Sequence, residues 1–289
     1  RAKKMKVQDI TDLFSETPRR VEWDAQDSRY LFAVQDNFLD RLDVVSKTIR
    51  PKFLEGVRGF GVGSGMFDKK VYVLDQNFLL KRLDFEGKKE ELLFEDSFLG
   101  PSLFNSEAFY RIEIFSGDLI FFLNSHGELI GSQIPYRFVD EGVLGLQYER
   151  RSKRLLFWKK DALGVLDLSE ERDGEGIFEA IPKPVWVYRA GEKIEQAFWV
   201  SEGSHILFRD KQKILLLELE TYQRPHLHEL FEVKRNSPVF YSEEAGKIYY
   251  LEPETHHLSS RELLPTRDLL TLPFPERKEE KKKSGIRAF

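Results

Sequence analysis

Short apolar runs recur along the chain, and polar turns separate them. The clearest are residues 30–35 (YLFAVQ), 70–74 (KVYVL), 119–123 (LIFFL), 154–158 (RLLFW), 205–208 (HILF) and 247–251 (KIYYL). Residues that favour strands dominate these runs, and charged or turn-forming residues bound each of them. No comparable stretch of the sequence sustains the i, i+3, i+4, i+7 spacing of an amphipathic helix. The pattern predicts an all-β protein.

The runs belong to a longer unit that repeats. Residues 21–43 read as strand, polar turn, apolar strand, short turn and strand, and residues 60–84 have the same layout. Within these copies, Asn37-Phe38-Leu39 is echoed by Asn77-Phe78-Leu79 at an offset of 40 residues. Looser copies span residues 109–134, 144–168, 195–220 and 239–258. The central turns fall near Asp36, Asp75, Ser125, Asp161, Asp210 and Glu252, about every 43 residues, which matches the ~40–45 residues of a propeller blade.

This period predicts a β-propeller with six four-stranded blades, or seven if residues 98–116 or 170–192 contain another. A four-stranded sheet cannot bury both of its faces alone, so neighbouring sheets must stack. The outer strands are expected at residues 52–54, 91–94, 185–188 and 228–233. A β-sandwich is the alternative, but it gives no reason for the Asn-Phe-Leu echo.

The ends of the chain lie outside the repeats. We expect a single propeller domain over residues 7–273, with flexible ends or linkers at 1–6 and 274–289. Residues 7–14 (VQDITDLF) precede the first full repeat and read as an orphan strand. Propellers commonly close by letting one terminus complete the last blade, so this segment is expected to pair with strands near 240–273.

Composition restricts the possible partners. There are 45 Lys and Arg residues against 49 Asp and Glu, a net charge of −4, which argues against nucleic-acid binding. Cysteine is absent, so disulfides, thiolate metal sites and a cysteine nucleophile are excluded. No apolar run approaches the ~20 residues that cross a bilayer, so this segment is not expected to insert into a membrane.

The polar residues do not converge on a recognisable active site. The six histidines, His126, His205, His226, His228, His256 and His257, are scattered and are expected on surfaces or in turns. Most carboxylates fall at turn positions, where Asp caps backbone N–H groups; examples are Asp24, Asp27, Asp36, Asp43 and Asp84. We therefore predict no catalytic, metal-binding or cofactor-binding residue, and no enzymatic activity.

Two further motifs favour structural roles. The run from Gly59 to Gly65 leads into a strand and not a helix, so it is not a phosphate loop; small residues there would let backbones crowd together on an inner strand. Ser64 within this run lacks the full Gly-x-Ser-x-Gly motif. The tryptophans are expected in blade cores, Trp186 being the weakest candidate; they are Trp23, Trp158, Trp186 and Trp199.

Residues 18–43 (PRRVEWDAQDSRYLFAVQDNFLDRLD), with echoes such as residues 241–255 (YSEEAGKIYYLEPET), resemble WD40-like and TolB-like bacterial propeller repeats. They are most similar to the propeller regions that follow PEGA domains in bacterial surface proteins. Of the WD40 signature only Trp23-Asp24 is present, and the TolB-type turn has weaker versions, as at residues 24–27.

The resemblance implies a non-catalytic protein-interaction or scaffold module within a longer protein that has an upstream anchor. It favours the cell surface or periplasm, with the cytoplasm as the alternative. Its partner would be another protein. A propeller enzyme or carbohydrate-binding module, with its site at the central channel, is the alternative function.

Overall fold

The computed structural model describes residues 10, 13–14, 16–24, 27–63, 70–93, 103–116, 119–132, 137–169, 183–219 and 225–263. The contacts within the chain divide it into two compact units, residues 1–231 and 232–289. Over the described residues, the 23 elements that the structure forms are all β-strands. The predicted all-β class is therefore confirmed. No helix in this part of the chain is long and apolar enough to span a membrane.

The strands form antiparallel meanders in chain order. The first meander contains β1 (Arg20–Trp23), β2 (Tyr30–Gln35), β3 (Phe38–Asp43) and β4 (Thr48–Glu55). The second contains β5 (Val57–Val62), β6 (Lys70–Asp75), β7 (Leu80–Asp84) and β8 (Glu90–Leu93). The third contains β9 (Tyr110–Ser116), β10 (Leu119–Asn124), β11 (Leu129–Gly131) and β12 (Arg137–Asp140).

The fourth meander contains β13 (Gly145–Glu149), β14 (Arg154–Trp158), β15 (Leu163–Asp167) and β16 (Val185–Tyr188). The fifth contains β17 (Ile194–Val200), β18 (His205–Asp210), β19 (Lys213–Glu218) and β20 (His226–Glu232). The second unit carries a three-stranded sheet of β21 (Phe240–Ser242), β22 (Lys247–Leu251) and β23 (Leu258–Glu262).

The repeat read from the sequence corresponds to this order of strands. Each of the six predicted central turns lies between the second and third strands of a meander or, for Glu252, between the last two strands of the three-stranded sheet. The predicted outer strands coincide with or overlap β4, β8, β16 and β20, which are the fourth strands. The exact number of blades stays a prediction.

Neighbouring meanders in the first unit bury apolar side chains against each other. Between the first and second meanders, for example, Phe32 and Val34 pack with Phe60, Val71 and Val73, all fully buried. Similar clusters join the second meander to the third, the third to the fourth and the fourth to the fifth. Because burial of one large apolar side chain contributes ~1.5–3 kcal/mol, this stacking holds the sheets together.

The segment before β1 does not form the expected strand over its described residues. The Leu13 N–H donates to the Ile10 carbonyl at 3.1 Å, which makes a turn. Ile10, Leu13 and Phe14 pack on Leu31, Ala33 and Leu42 of the first meander. These three apolar side chains thus cover a face of the first sheet. The rest of residues 7–14, and the tail after residue 263, lie outside the described residues.

Candidate functional site

One end of the sheets in the first unit carries two kinds of connection. In an antiparallel meander, the turn between the second and third strands lies at the same end as the chain that leaves the fourth strand. Turn 125–128 and connection 141–144 of the third meander are examples, and turn 159–162 belongs to the fourth. These three segments come together around a polar cleft.

The cleft has a volume of about 460 Å³. Its lining residues are His126, Glu128, Glu141, Gly142, Lys159, Lys160 and Asp161. Most of these side chains are charged and both signs are present, which suits polar recognition. Leu144, two residues after Gly142, leaves 57% of its surface exposed. An apolar contact is therefore available close to the polar cleft.

Asn124, at the end of β10, shapes one wall of the cleft. Its buried Oδ1 accepts hydrogen bonds from the backbone N–H groups of His126 at 3.0 Å and Glu128 at 2.9 Å. Its Nδ2 donates to the Glu128 carboxylate. Gly127 has φ = +88°, a conformation that glycine adopts without steric cost, and its carbonyl accepts from Val143 N–H at 2.9 Å. These bonds fix the turn in place.

The opposite wall of the cleft is held by backbone hydrogen bonds from residues 191–194, which lead into β17. The Lys160 carbonyl accepts from Ile194 N–H at 2.7 Å, and the Asp161 carbonyl accepts from Gly191 N–H at 3.0 Å. Lys159 Nζ lies 2.6 Å from Asp140 Oδ1, so its charge is partly neutralised. The side chains of Lys160 and Asp161 remain exposed. The cleft is thus built on a hydrogen-bonded backbone, with exposed charged groups at its rim.

A second polar cluster lies on the first strands of three meanders. Arg20 pairs with Glu22 on β1, and Arg111 Nε on β9 donates to Glu113 at 2.7 Å. Glu22 also accepts from the backbone N–H of Val62 on β5 at 2.9 Å. Burial, together with the positive charge of Arg111, lowers the pKa of Arg20 to about 9, against an opposing effect of Glu113. Within the described residues, the buried Nε of Arg20 has no hydrogen-bond acceptor.

The glycine run is confirmed as a site of close backbone approach at two positions. A Cβ on Gly59 would lie 2.4 Å from the Tyr110 carbonyl oxygen, and one on Gly61 would lie 2.1 Å from that of Ile112. These glycines let β5 pair in parallel with β9, which joins the second and third meanders into one eight-stranded sheet. Ser64 and Gly65 lie outside the described residues.

The histidines do not converge. His126 Nδ1 lies 3.2 Å from Asn105 Nδ2, and His205 Nδ1 lies 2.7 Å from Ser204 Oγ. His226 and His228 are exposed on β20, and His256 and His257 are exposed in the turn before β23. Among the residues that the structure describes, no three His, Cys, Asp or Glu side chains are placed to hold a metal ion.

The turn carboxylates behave as the sequence predicts. Asp24 Oδ1 accepts from Asp27 N–H at 3.2 Å, and Asp27 Oδ1 accepts from Arg29 N–H at 3.0 Å. Asp43 and Asp84 likewise accept from backbone N–H groups of the turns that follow them. Asp36 occupies its turn with φ = +50°.

The tryptophans divide into two groups. Trp158 and Trp199 are buried in the core between the fourth and fifth meanders, as predicted. Trp186 is half-buried beside Phe157, with ring centroids 5.5 Å apart. The prediction of a core position is wrong for Trp23, which is 54% exposed. Its strand alternates half-buried and exposed residues, and Trp23 falls on the exposed side.

Comparisons with known proteins establish the fold. The sequence matches no protein-family model and no curated protein. The β-propeller domain of Cps50 (Swd1) from Myceliophteria thermophila is similar in structure, with a TM-score of 0.51 and 11% identity over 87% of this chain and 89% of that one. Hsv2p of Kluyveromyces lactis has a TM-score of 0.52 and 11% identity, over 86% of this chain and 75% of that one. The chain therefore has a β-propeller fold.

Proposed function

We propose that this propeller is a non-catalytic module that binds another protein through the cleft between its third and fourth meanders. The observation that supports this most is the pairing of exposed charges of both signs, at Glu141, Lys160 and Asp161, with the exposed Leu144. Protein interfaces combine an apolar contact with a polar rim in this way. The backbone bonds that hold both walls reduce the entropy lost on binding.

We infer that the module is part of a longer bacterial protein whose anchor lies upstream. The resemblance to propeller regions that follow PEGA domains supports this inference. A scaffold role needs a rigid surface and does not require a bound cofactor.

A charge-reversal experiment tests the cleft. The change Glu141→Lys with Asp161→Lys inverts two exposed charges without touching the core. Glu244→Lys with Glu254→Lys gives the same change in net charge at exposed positions of the second unit. Proteins from the native source that cross-link to the wild-type chain should also cross-link to the variant with Glu244→Lys and Glu254→Lys. They should not cross-link to the variant with Glu141→Lys and Asp161→Lys. Equal retention by both variants would contradict a role for the cleft.

The cluster on β1 and β9 favours a second candidate function, the binding of a small acidic ligand or sugar. Arg20 is largely buried and its Nε lacks an acceptor within the described residues, so a ligand oxygen could satisfy it. Ligand-observed NMR with glucuronate and glucose would test this, with Arg20→Gln as the variant. Saturation transfer to glucuronate that Arg20→Gln abolishes would favour this function over protein binding.

A further inference from the structure

The strand β16 differs from the other outer strands. Its sequence, residues 185–188 (VWVY), contains no charged residue and no proline. The last strand of every other described meander and of the three-stranded sheet contains charged residues, as in residues 48–55 (TIRPKFLE), 90–93 (EELL), 137–140 (RFVD), 226–232 (HLHELFE) and 258–262 (LSSRE). Charges and proline on an edge strand discourage pairing with another chain. β16 lacks this protection.

The outer edge of β16 is open within the part of the chain that the structure describes. Among the described strands, β16 is the last of its sheet and pairs only with β15, on its inner side. Val185 is 61% exposed. Trp186 packs its ring edge-on against Phe157 of β14, so the strand is anchored to the core while one edge remains accessible. An extended segment could add to this edge through backbone hydrogen bonds.

Positive charges stand at both ends of the strand. Lys183 precedes it and Arg189 follows it, and both side chains are exposed. The Arg189 guanidinium carbon lies 5.3 Å from the centroid of the Trp186 ring. No ion pair joins Lys183 or Arg189 to an acidic residue among those described. The nearby Glu192 is already paired with Lys211. The edge is therefore apolar in the middle and cationic at its ends.

We propose that the edge of β16 is a docking site for an extended, acidic segment of a partner protein, which would add a fifth strand to the fourth sheet. Backbone hydrogen bonds would supply affinity, and apolar side chains of the segment would contact Val185. Acidic residues at its ends would pair with Lys183 and Arg189, so charge selects the partner. This site is separate from the cleft of the proposed function and does not depend on it.

Synthetic peptides test the site on the full chain. The probe is a peptide of alternating Glu and Val, and its two controls are alternating Lys and Val and the Glu–Val peptide with N-methylated alternate amides. Isothermal titration should detect binding of the first peptide only, because the second carries the wrong charge and the third cannot pair as a strand. Hydrogen exchange at residues 185–188 should slow when the first peptide is bound.

Two variants complete the experiment. Val185→Glu places a negative charge on the exposed edge, where it repels the Glu–Val peptide, and should weaken binding by about tenfold or more. Phe138→Glu introduces the same charge at a 51% exposed position on β12, another outer strand, and should leave the affinity unchanged. Equal binding to both variants, equal binding of the Lys–Val peptide, or no binding of the Glu–Val peptide would overturn the proposal. Self-association of the wild-type chain that Val185→Glu abolishes would also overturn it, because a second copy would then occupy the edge.

Discussion

The carbonyl oxygen of Tyr110 lies 2.4 Å from where a Cβ on Gly59 would stand. No side chain fits at this distance, and the obstructing atoms are backbone atoms of Tyr110 and its Cβ, which cannot move as the far end of a flexible side chain can. The close approach allows β5 and β9, the first strands of two successive meanders, to pair in parallel at Gly59 and Phe60. The glycines therefore determine how two meanders join.

Gly59→Ala and Gly61→Ala should each destabilise the protein by about 1–3 kcal/mol or more, because the added methyl group forces β5 away from β9. Urea unfolding measures the loss. Gly142→Ala is the comparison: its φ is +70° but no atom lies within 4 Å of the added Cβ. It should cost only the left-handed backbone penalty of about 1 kcal/mol. Equal losses at all three positions would show that crowding against β9 is unimportant.

The apolar residues before β1 should contribute to stability through the first meander. Leu13 and Phe14 are half-buried against Leu31, Ala33 and Leu42. Replacing either with Ala should cost about 1–2 kcal/mol, less than at a fully buried position. Removal of residues 276–289 is the control, since the sequence predicts that this tail lacks core residues. A double Leu13→Ala, Phe14→Ala variant that melts like the wild type would contradict the packing.

Acid should weaken one exposed ion pair at a turn. The Arg29 side chain and the N–H groups of Ser46 and Val45 hold the pKa of Asp43 well below its ordinary value of 3.8. A lowered pKa in the folded state stabilises the fold above the unfolded pKa, and this stabilisation is lost as the pH falls through the folded pKa. The difference in Tm between wild type and Asp43→Asn should thus be largest near neutral pH and shrink below about pH 4. A difference that is constant with pH would show that the charge of Asp43 does not matter.

The strands and turns could be predicted because their signals are local. The runs at residues 30–35, 154–158 and 247–251 coincide with β2, β14 and β22. Asp and Asn mark many of the turns since their side chains accept bonds from nearby backbone N–H groups. The echo of Asn37-Phe38-Leu39 at Asn77-Phe78-Leu79 identified two equivalent connections between second and third strands, although the positive φ falls on Asp36 in the first, at 50°, and on Phe78 in the second, at 63°.

The cleft and the position of Trp23 depend on contacts between distant segments, and the sequence pattern does not encode these. Lys159 and Glu128 look like ordinary turn charges in the sequence, and they become one site only because the third and fourth meanders stack. An aromatic residue on a predicted strand was expected in the core, yet Trp23 lies on the exposed side of β1. The docking edge of β16, in contrast, has a signal in the sequence, because residues 185–188 form the single predicted outer strand without a charge.

Metal removal should leave stability unchanged. The described histidines are spread over turns, β18 and β20, and none is grouped with two other potential ligands among the described residues. The Tm in EDTA should equal the Tm in buffer. A fall of several degrees that Zn²⁺ or Ca²⁺ restores would reveal a bound ion, because a ligand specific to the native state raises Tm.

Asn124 should be the residue on which the cleft wall depends most. Its buried amide satisfies the backbone of turn 125–128 and also donates to Glu128. Asn124→Ala leaves two N–H groups without their acceptor, at a cost of about 1–3 kcal/mol. Asn124→Asp keeps the acceptor but sets a carboxylate against Glu128, so it should also destabilise at neutral pH. Adding Glu128→Gln should restore stability to Asn124→Asp and not to Asn124→Ala. Urea unfolding of the four variants measures this coupling, and failure of Glu128→Gln to rescue Asn124→Asp would mean that the contact between the two side chains does not hold the turn.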